Sequence, residues 1–151
     1  MNKQIYYLLT ILFVMYIPVK TLASGDMTKQ EPIKIQVNLG NSKGSLVFEP
    51  NHLSFKTGTL YQLVIHNPSS EKHYFSSETL SRSVFTRKVQ VLNKNAETIA
   101  EIKGTIREIE VLPGGTAEWW FVPVKTAVTN DLKCTIKGHA SKGMTGTIKI
   151  N

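Results

Sequence analysis

Short stretches in which apolar and polar residues alternate recur along most of the chain, and they restrict its fold more than any other feature. The pattern is clear from Pro32 to Leu39, from Tyr61 to Ile65 and from Thr145 to Ile150. Alternation with a period of two places the apolar side chains on one face of an extended strand. Turn residues such as Pro113-Gly114-Gly115 separate the stretches. The sequence therefore predicts an all-β protein built from many short strands.

The order of these elements predicts two packed sheets. The stretches between residues 32 and 65 predict a β meander, and a turn at Asn93-Lys94-Asn95 predicts an extra hairpin inserted into it. Ser76 to Leu80 predicts the start of a short helix in which Leu80 and Val84 face inward. Many short strands separated by turns are typical of an antiparallel β-sandwich.

The first 23 residues differ in composition from the rest of the 151-residue chain. Lys3 precedes the apolar stretch Ile5 to Val19, and Thr21-Leu22-Ala23 then offers small residues to a signal peptidase. The apolar stretch is shorter than the ~20 residues that span a bilayer, and Pro18 interrupts it. We therefore predict a signal peptide at residues 1–23, one domain at residues 24–151, and a periplasmic or secreted protein without stable membrane association after cleavage. An uncleaved anchor is the alternative.

Cys134 is the only cysteine, and it opens a loop that also contains His139 and Met144. Thiolate and thioether favour copper over harder cations, and two imidazoles, one thiolate and a weak axial methionine form the trigonal site of electron-transfer copper proteins. Gly138 and Gly143 relax the backbone restrictions on such a tight loop. The loop thus offers three of four copper ligands, and a second imidazole must come from elsewhere.

A lone cysteine has other interpretations. It can be a small buried hydrophobe, or it can form an intermolecular disulfide in an oxidising compartment. A nucleophilic Cys134 with His139 as its base is a third hypothesis. That hypothesis gives Met144 no role and finds no orienting group, so we predict that the protein is not an enzyme.

Several motifs resemble the cupredoxin superfamily, which includes plastocyanin and azurin. They are Phe48 to Pro50, Gly58 to Tyr61, Asn67, Lys72-His73, and the loop Cys134 to Met144 with Thr145-Gly146 after it. The most specific of them is the Cys-x4-His-x4-Met spacing, and the resemblance covers nearly the whole predicted domain. It implies a Greek-key antiparallel β-sandwich that binds one copper ion, which alternates between Cu(I) and Cu(II).

The resemblance also implies the ligand set, namely His73, Cys134, His139 and Met144. In the family, the histidine of the cysteine loop reaches the surface and passes the electron, which is the role implied for His139. His73 is implied as the fourth ligand because it follows the strand that ends at Asn67. His66 lies opposite the apolar face of its strand and His52 lies in a turn, so we predict that both are surface residues.

Two residues near the predicted site differ from the family. Tyr74 and Asn130 replace an asparagine and an aromatic residue, respectively. Thr135 keeps a hydroxyl group, which we expect to bond across the site and to orient its ligands.

The charge of the chain suggests a partner. Removing Lys3 and Lys20 from the 18 basic residues leaves 16 against 11 acidic ones, a net charge of +5, and Lys137 and Lys142 flank His139. Such a basic rim would attract an acidic redox partner of the cytochrome or oxidase type, although a solvated surface is the alternative. No Lys/Arg run or aromatic platform indicates nucleic acid binding, and we expect one core ring and one surface ring from Trp119-Trp120.

Together these features predict an exported, monomeric type 1 copper protein that shuttles single electrons between redox partners. A periplasmic protein that binds copper and delivers it through the same ligands is the alternative.

Overall fold

A computed structural model describes residues 29–151, so the predicted signal peptide at residues 1–23 lies outside the described residues. This part of the chain contains eleven strands, one α-helix and a short 3-10 helix at Ala140–Lys142. The strands are β1 Ile33–Leu39, β2 Phe48–Glu49, β3 His52–Phe55, β4 Tyr61–His66, β5 His73–Ser76, β6 Val84–Leu92, β7 Thr98–Ile102, β8 Glu108–Val111, β9 Thr116–Pro123, β10 Ala127–Lys133 and β11 Thr145–Ile150, and the helix is α1 Glu78–Ser83. None of the helices in residues 29–151 has the length and apolar character needed to cross a membrane.

The strands form two sheets that pack face to face, which confirms the predicted β-sandwich. The six-stranded sheet has the order β2-β1-β4-β9-β6-β7, and the five-stranded sheet has the order β3-β11-β10-β5-β8. Both sheets are mixed, because β1 runs parallel to β4 and β3 runs parallel to β11. The predicted meander is wrong, since β3 leaves the sheet of β1, β2 and β4 and joins the opposite sheet.

The alternating apolar residues meet between the two sheets. The fully buried ones include Val37, Leu39, Leu63, Ile65, Phe75, Phe121 and Ile148. Each buried side chain of this size stabilises the fold by roughly 1.5–3 kcal/mol. Trp119 lies in this core with its ring 5.1 Å from that of Phe121, whereas Trp120 is half-buried on the outer face beneath Lys88 Nζ, 4.9 Å from the ring centroid. The two tryptophans therefore divide between core and surface, as predicted.

The predicted hairpin consists of β6 and β7, with a tight turn at residues 93–97. The Asn93 side-chain oxygen accepts hydrogen bonds from the backbone N–H groups of Asn95 and Glu97, each at 2.9 Å. The hairpin lengthens the six-stranded sheet, and β7 is exposed along its whole length.

The predicted short helix is α1, and a hydroxyl group caps its N-terminus. Ser77 Oγ accepts a hydrogen bond from Leu80 N at 3.1 Å and donates one to Asp131 of β10. Asp131 also accepts from Thr79 N at 2.8 Å. Leu80 is fully buried, as expected, but Val84 already belongs to β6 because the chain becomes extended there.

Replacing Ser77 with alanine is expected to lower the free energy of unfolding by about 1–2 kcal/mol, because the variant loses the helix cap and the donor to Asp131. Urea unfolding at pH 7 measures the loss. Ser42→Ala is the matched control, since Ser42 is exposed in a loop and such substitutions usually stay within about 0.5 kcal/mol. Equal stability of the two variants would contradict this role of Ser77.

The same network predicts a dependence on pH. Burial raises the pKa of Asp131, but hydrogen bonds from Ser77 and Thr79 outweigh it and hold the pKa below its usual value. Asp131 therefore stabilises the fold fully above its unfolded pKa of about 3.9 and loses that contribution as the pH falls through its lower folded value. The stability difference between wild type and Ser77→Ala should accordingly shrink in acid.

Candidate metal centre

The predicted ligands lie at one end of the sandwich, where the loops after β1, β4, β8 and β10 meet. Backbone hydrogen bonds join two of these loops, from Gly114 N to Asn67 O at 2.8 Å and from Asn67 N to Gly115 O at 3.1 Å. The side chain of Asn67 adds a bond from its Nδ2 to Val111 O at 2.8 Å. The loops are thus fixed to the ends of the strands that precede them.

His73, Cys134 and His139 converge at this end. Each offers one ligand atom, and the three atoms lie within 4.8 Å of one another. Cys134 Sγ is 4.0 Å from His73 Nδ1 and 3.5 Å from His139 Nδ1. Cys134 and His73 are buried, whereas the His139 side chain remains 12% exposed. One thiolate with two imidazoles is a donor set that suits copper.

Met144 is fully buried at the end of the same loop. Its N–H donates to His139 O at 3.0 Å, and its carbonyl accepts from Cys134 N at 3.2 Å. The glycines permit this closure, because Gly138 and Gly143 have φ angles of 87° and 104°, which favour glycine. The loop therefore holds the backbone of Met144 beside that of Cys134 and His139.

His73 is the first residue of β5 and lies against the loop after β1. A Cβ atom added at Gly40, where φ is +72°, would lie 2.9 Å from His73 Nε2. A cavity of about 40 Å³ adjoins the ring and is lined in part by Ser69 and Leu46. Burial, and secondarily the charge of His139, lowers the pKa of His73. Burial therefore favours the neutral form of the ring, which is the form that binds a metal.

The thiol sulfur has a hydrogen-bond donor from the neighbouring strand. Tyr74 N donates to Cys134 Sγ at 3.4 Å, and this backbone bond does not depend on the side chain at position 74. The phenol of Tyr74 instead bonds to Glu110, which raises the pKa of the phenol. The expectation that Thr135 bonds across the site is wrong, because its exposed hydroxyl donates to Glu108 Oε2 at 2.6 Å.

The other two histidines of the chain lie outside this group. His66 Nδ1 is 2.9 Å from Thr116 Oγ1. His66 was predicted to face solvent, but it is half-buried at the end of β4. His52 is exposed, as predicted, and its Nδ1 is 2.6 Å from Thr147 Oγ1.

One further residue at the site was not predicted from the sequence. Glu71 lies beside the exposed side of His139, with its Oε2 3.9 Å from His139 Nε2. No local pattern pointed to this residue, because an acidic residue in a surface loop is ordinarily a solvated charge.

No family model matches this sequence, and no curated protein is similar enough in sequence to count as a relative. Solved structures are similar in fold. An auracyanin from Roseiflexus castenholzii is 14% identical with a TM-score of 0.50, over 78% of this chain and 96% of that chain. Auracyanin A from Chloroflexus aurantiacus, a blue copper protein, is 17% identical with a TM-score of 0.50, over 80% of this chain and 100% of that chain.

The copper nitrite reductase of Nitrosomonas europaea is 11% identical with a TM-score of 0.55, over 80% of this chain but only 48% of that chain. Identities this low show a shared fold and nothing finer, so the chemistry is argued from the donor atoms of this chain. The chain thus has a cupredoxin-like sandwich fold, and its converging His73, Cys134 and His139 form a donor set that suits a single copper ion.

Proposed function

We propose that this protein is a blue copper protein that shuttles single electrons between redox partners. The observation that carries the proposal is the convergence of His73, Cys134 and His139 within 4.8 Å, in the loop arrangement that also contains Met144. A bound copper ion would supply a one-electron couple suited to these ligands.

The surrounding structure supports transfer of electrons more than catalysis. Cys134 and His73 are buried and tied to strands by backbone bonds, so they would move little between oxidation states. The cavity of about 40 Å³ beside His73 is far smaller than the roughly 300–1,000 Å³ of ordinary ligand pockets. The partial exposure of His139 leaves one donor residue within reach of a partner protein.

The partner and the compartment are also proposals. Lys137 and Lys142 are exposed on either side of His139, and they favour an acidic redox protein whose association weakens with salt. The leader-like residues 1–23 favour export to the periplasm or beyond, and we propose that the exported protein acts as a monomer.

The direct test is to add one equivalent of Cu(II) to the chain from Ser24 onward and to record its visible and EPR spectra. An intense thiolate-to-copper band with narrow hyperfine splitting is the expected result. A colourless protein would overturn the electron-transfer function. If the coloured protein instead loses its copper to a Cu(I) chelator during repeated redox cycles, copper delivery through the same ligands becomes the better explanation.

The choice of histidine is tested by replacing His73 and His66 separately with alanine. His73→Ala is expected to weaken Cu(II) binding by roughly 100-fold or more. Even the mutation of residues that only hydrogen-bond to a ligand typically lowers metal affinity by about 10–100-fold. His66→Ala should bind copper as tightly as wild type, because its ring bonds to Thr116 and not to the donor group. Competition titration measures both affinities, and the opposite ranking would show that the fourth ligand is assigned wrongly.

A further inference from the structure

The imidazole of His139 lies between the thiol and a carboxylate. Its Nδ1 is 3.5 Å from Cys134 Sγ, and its Nε2 is 3.9 Å from Glu71 Oε2. The two nitrogens therefore serve different neighbours, Nδ1 the donor group and Nε2 the carboxylate. The Glu71 side chain is 70% exposed, so little packing restricts its movement toward His139 Nε2.

The backbone of Glu71 is held in place by the loop after β4. Its carbonyl accepts from Asn67 Nδ2 at 2.7 Å and from Ser69 Oγ at 2.9 Å. Its N–H donates to Ser69 Oγ at 3.3 Å. Asn67 is fully buried and is itself anchored to Val111 O. This hydrogen bonding sets where the Glu71 side chain leaves the loop, which is in front of His139.

The neighbouring cation, Lys72, pairs with another carboxylate and not with Glu71. Lys72 Nζ lies 2.8 Å from Oε1 of Glu110, on the outer face of β8. Glu71 Oε2 instead lies 3.9 Å from His139 Nε2. The carboxylate is thus directed at the one donor residue of the group that reaches the surface.

We propose that Glu71 is a positioning residue that holds the proton of His139 on Nε2, keeps Nδ1 free for the metal, and lowers the reduction potential of the site. Metal-binding histidines commonly donate their second N–H to a carboxylate, which fixes the tautomer and raises the basicity of the ligand. A negative charge near the metal also stabilises its oxidised, more positive form. The effect on the potential rests on the proposed copper function, whereas the effect on the tautomer does not.

The test compares Glu71→Gln with Glu31→Gln. Glu31 is an exposed carboxylate just before β1, at the opposite end of that strand from Gly40 and the donor group. In the metal-free protein, imidazole ¹H–¹⁵N spectra should show His139 of the wild type and of Glu31→Gln with its proton on Nε2. Glu71→Gln should show a mixture of tautomers. Glutamine preserves the length of the side chain, so the comparison isolates the charge.

In the copper-loaded protein, Glu71→Gln should raise the reduction potential. We expect a shift in the Cu(I):Cu(II) ratio of roughly threefold to tenfold at a fixed applied potential, which is about 30–60 mV for a one-electron couple. The shift should shrink at high salt because the carboxylate is exposed, and Glu31→Gln should match the wild type.

The outcomes separate the two proposals. An unchanged His139 tautomer in Glu71→Gln, or a potential equal to that of Glu31→Gln, would overturn the role of Glu71. A wild-type protein that binds no copper but whose His139 tautomer still depends on Glu71 would overturn the electron-transfer function and support the positioning role.

Discussion

Replacing Cys134 with serine is expected to abolish the intense visible absorption of the copper-loaded protein and to weaken Cu(II) binding by roughly 100-fold or more. The band requires a thiolate bound to the metal, and a serine hydroxyl is a harder donor that stays protonated at neutral pH. Visible spectroscopy and competition titration measure the two effects.

Loss of copper must be distinguished from loss of the fold. Cys134 is fully buried, but serine is close to it in size and can accept the Tyr74 N–H that now bonds to the sulfur. Urea unfolding of the metal-free variant should therefore show a loss of at most about 1–2 kcal/mol. A folded Cys134→Ser protein that keeps the band would rule out Cys134 as the ligand responsible.

Gly146→Ala is expected to lower the free energy of unfolding by about 2–3 kcal/mol, because β11 has no room for a methyl group there. An added Cβ would lie 2.5 Å from Asn51 O and 2.8 Å from Leu132 Cδ2. Asn51 O cannot retreat without loss, since it accepts a hydrogen bond from Thr147 N at 2.8 Å. Either the strand shifts or the leucine is displaced, and both cost packing energy.

Gly58→Ala is the control for this substitution. Gly58 has a φ of +75° and open space around the position of a Cβ, so alanine adds only backbone strain, about 1 kcal/mol. Urea unfolding of both variants gives the difference that the close contact causes. Equal losses would contradict the steric explanation.

The faces of the strands were predictable from the sequence because a strand has only two faces. Ile148 and Ile150 alternate with polar residues, and both are buried. The spacing from Cys134 through His139 to Met144 was equally informative, since residues of one short loop cannot lie far apart.

The pairing of the strands was not predictable in the same way. Alternation places a side chain on a face but does not select the neighbouring strand, so nothing in Ile33–Leu39 distinguishes a meander from the observed parallel pairing with Tyr61–His66. The contact of Glu71 with His139 likewise depends on loops brought together by that topology. The positions of the outer residues of the site therefore follow from long-range structure, and local patterns do not contain them.

The parallel pairing of β3 with β11 has a consequence for the timing of folding. It places His52 opposite Thr147, so the five-stranded sheet can close only after Thr147 and all the residues before it have been synthesised. Contacts so distant in sequence are slow to form, because the chain loses the entropy of a long loop before it gains any pairing. The loop with Cys134 directly precedes β11, and the pairing of Lys133 with Thr145 means that this late strand also holds the two ends of the loop together. A ribosome-bound chain that lacks this strand should not bind the metal.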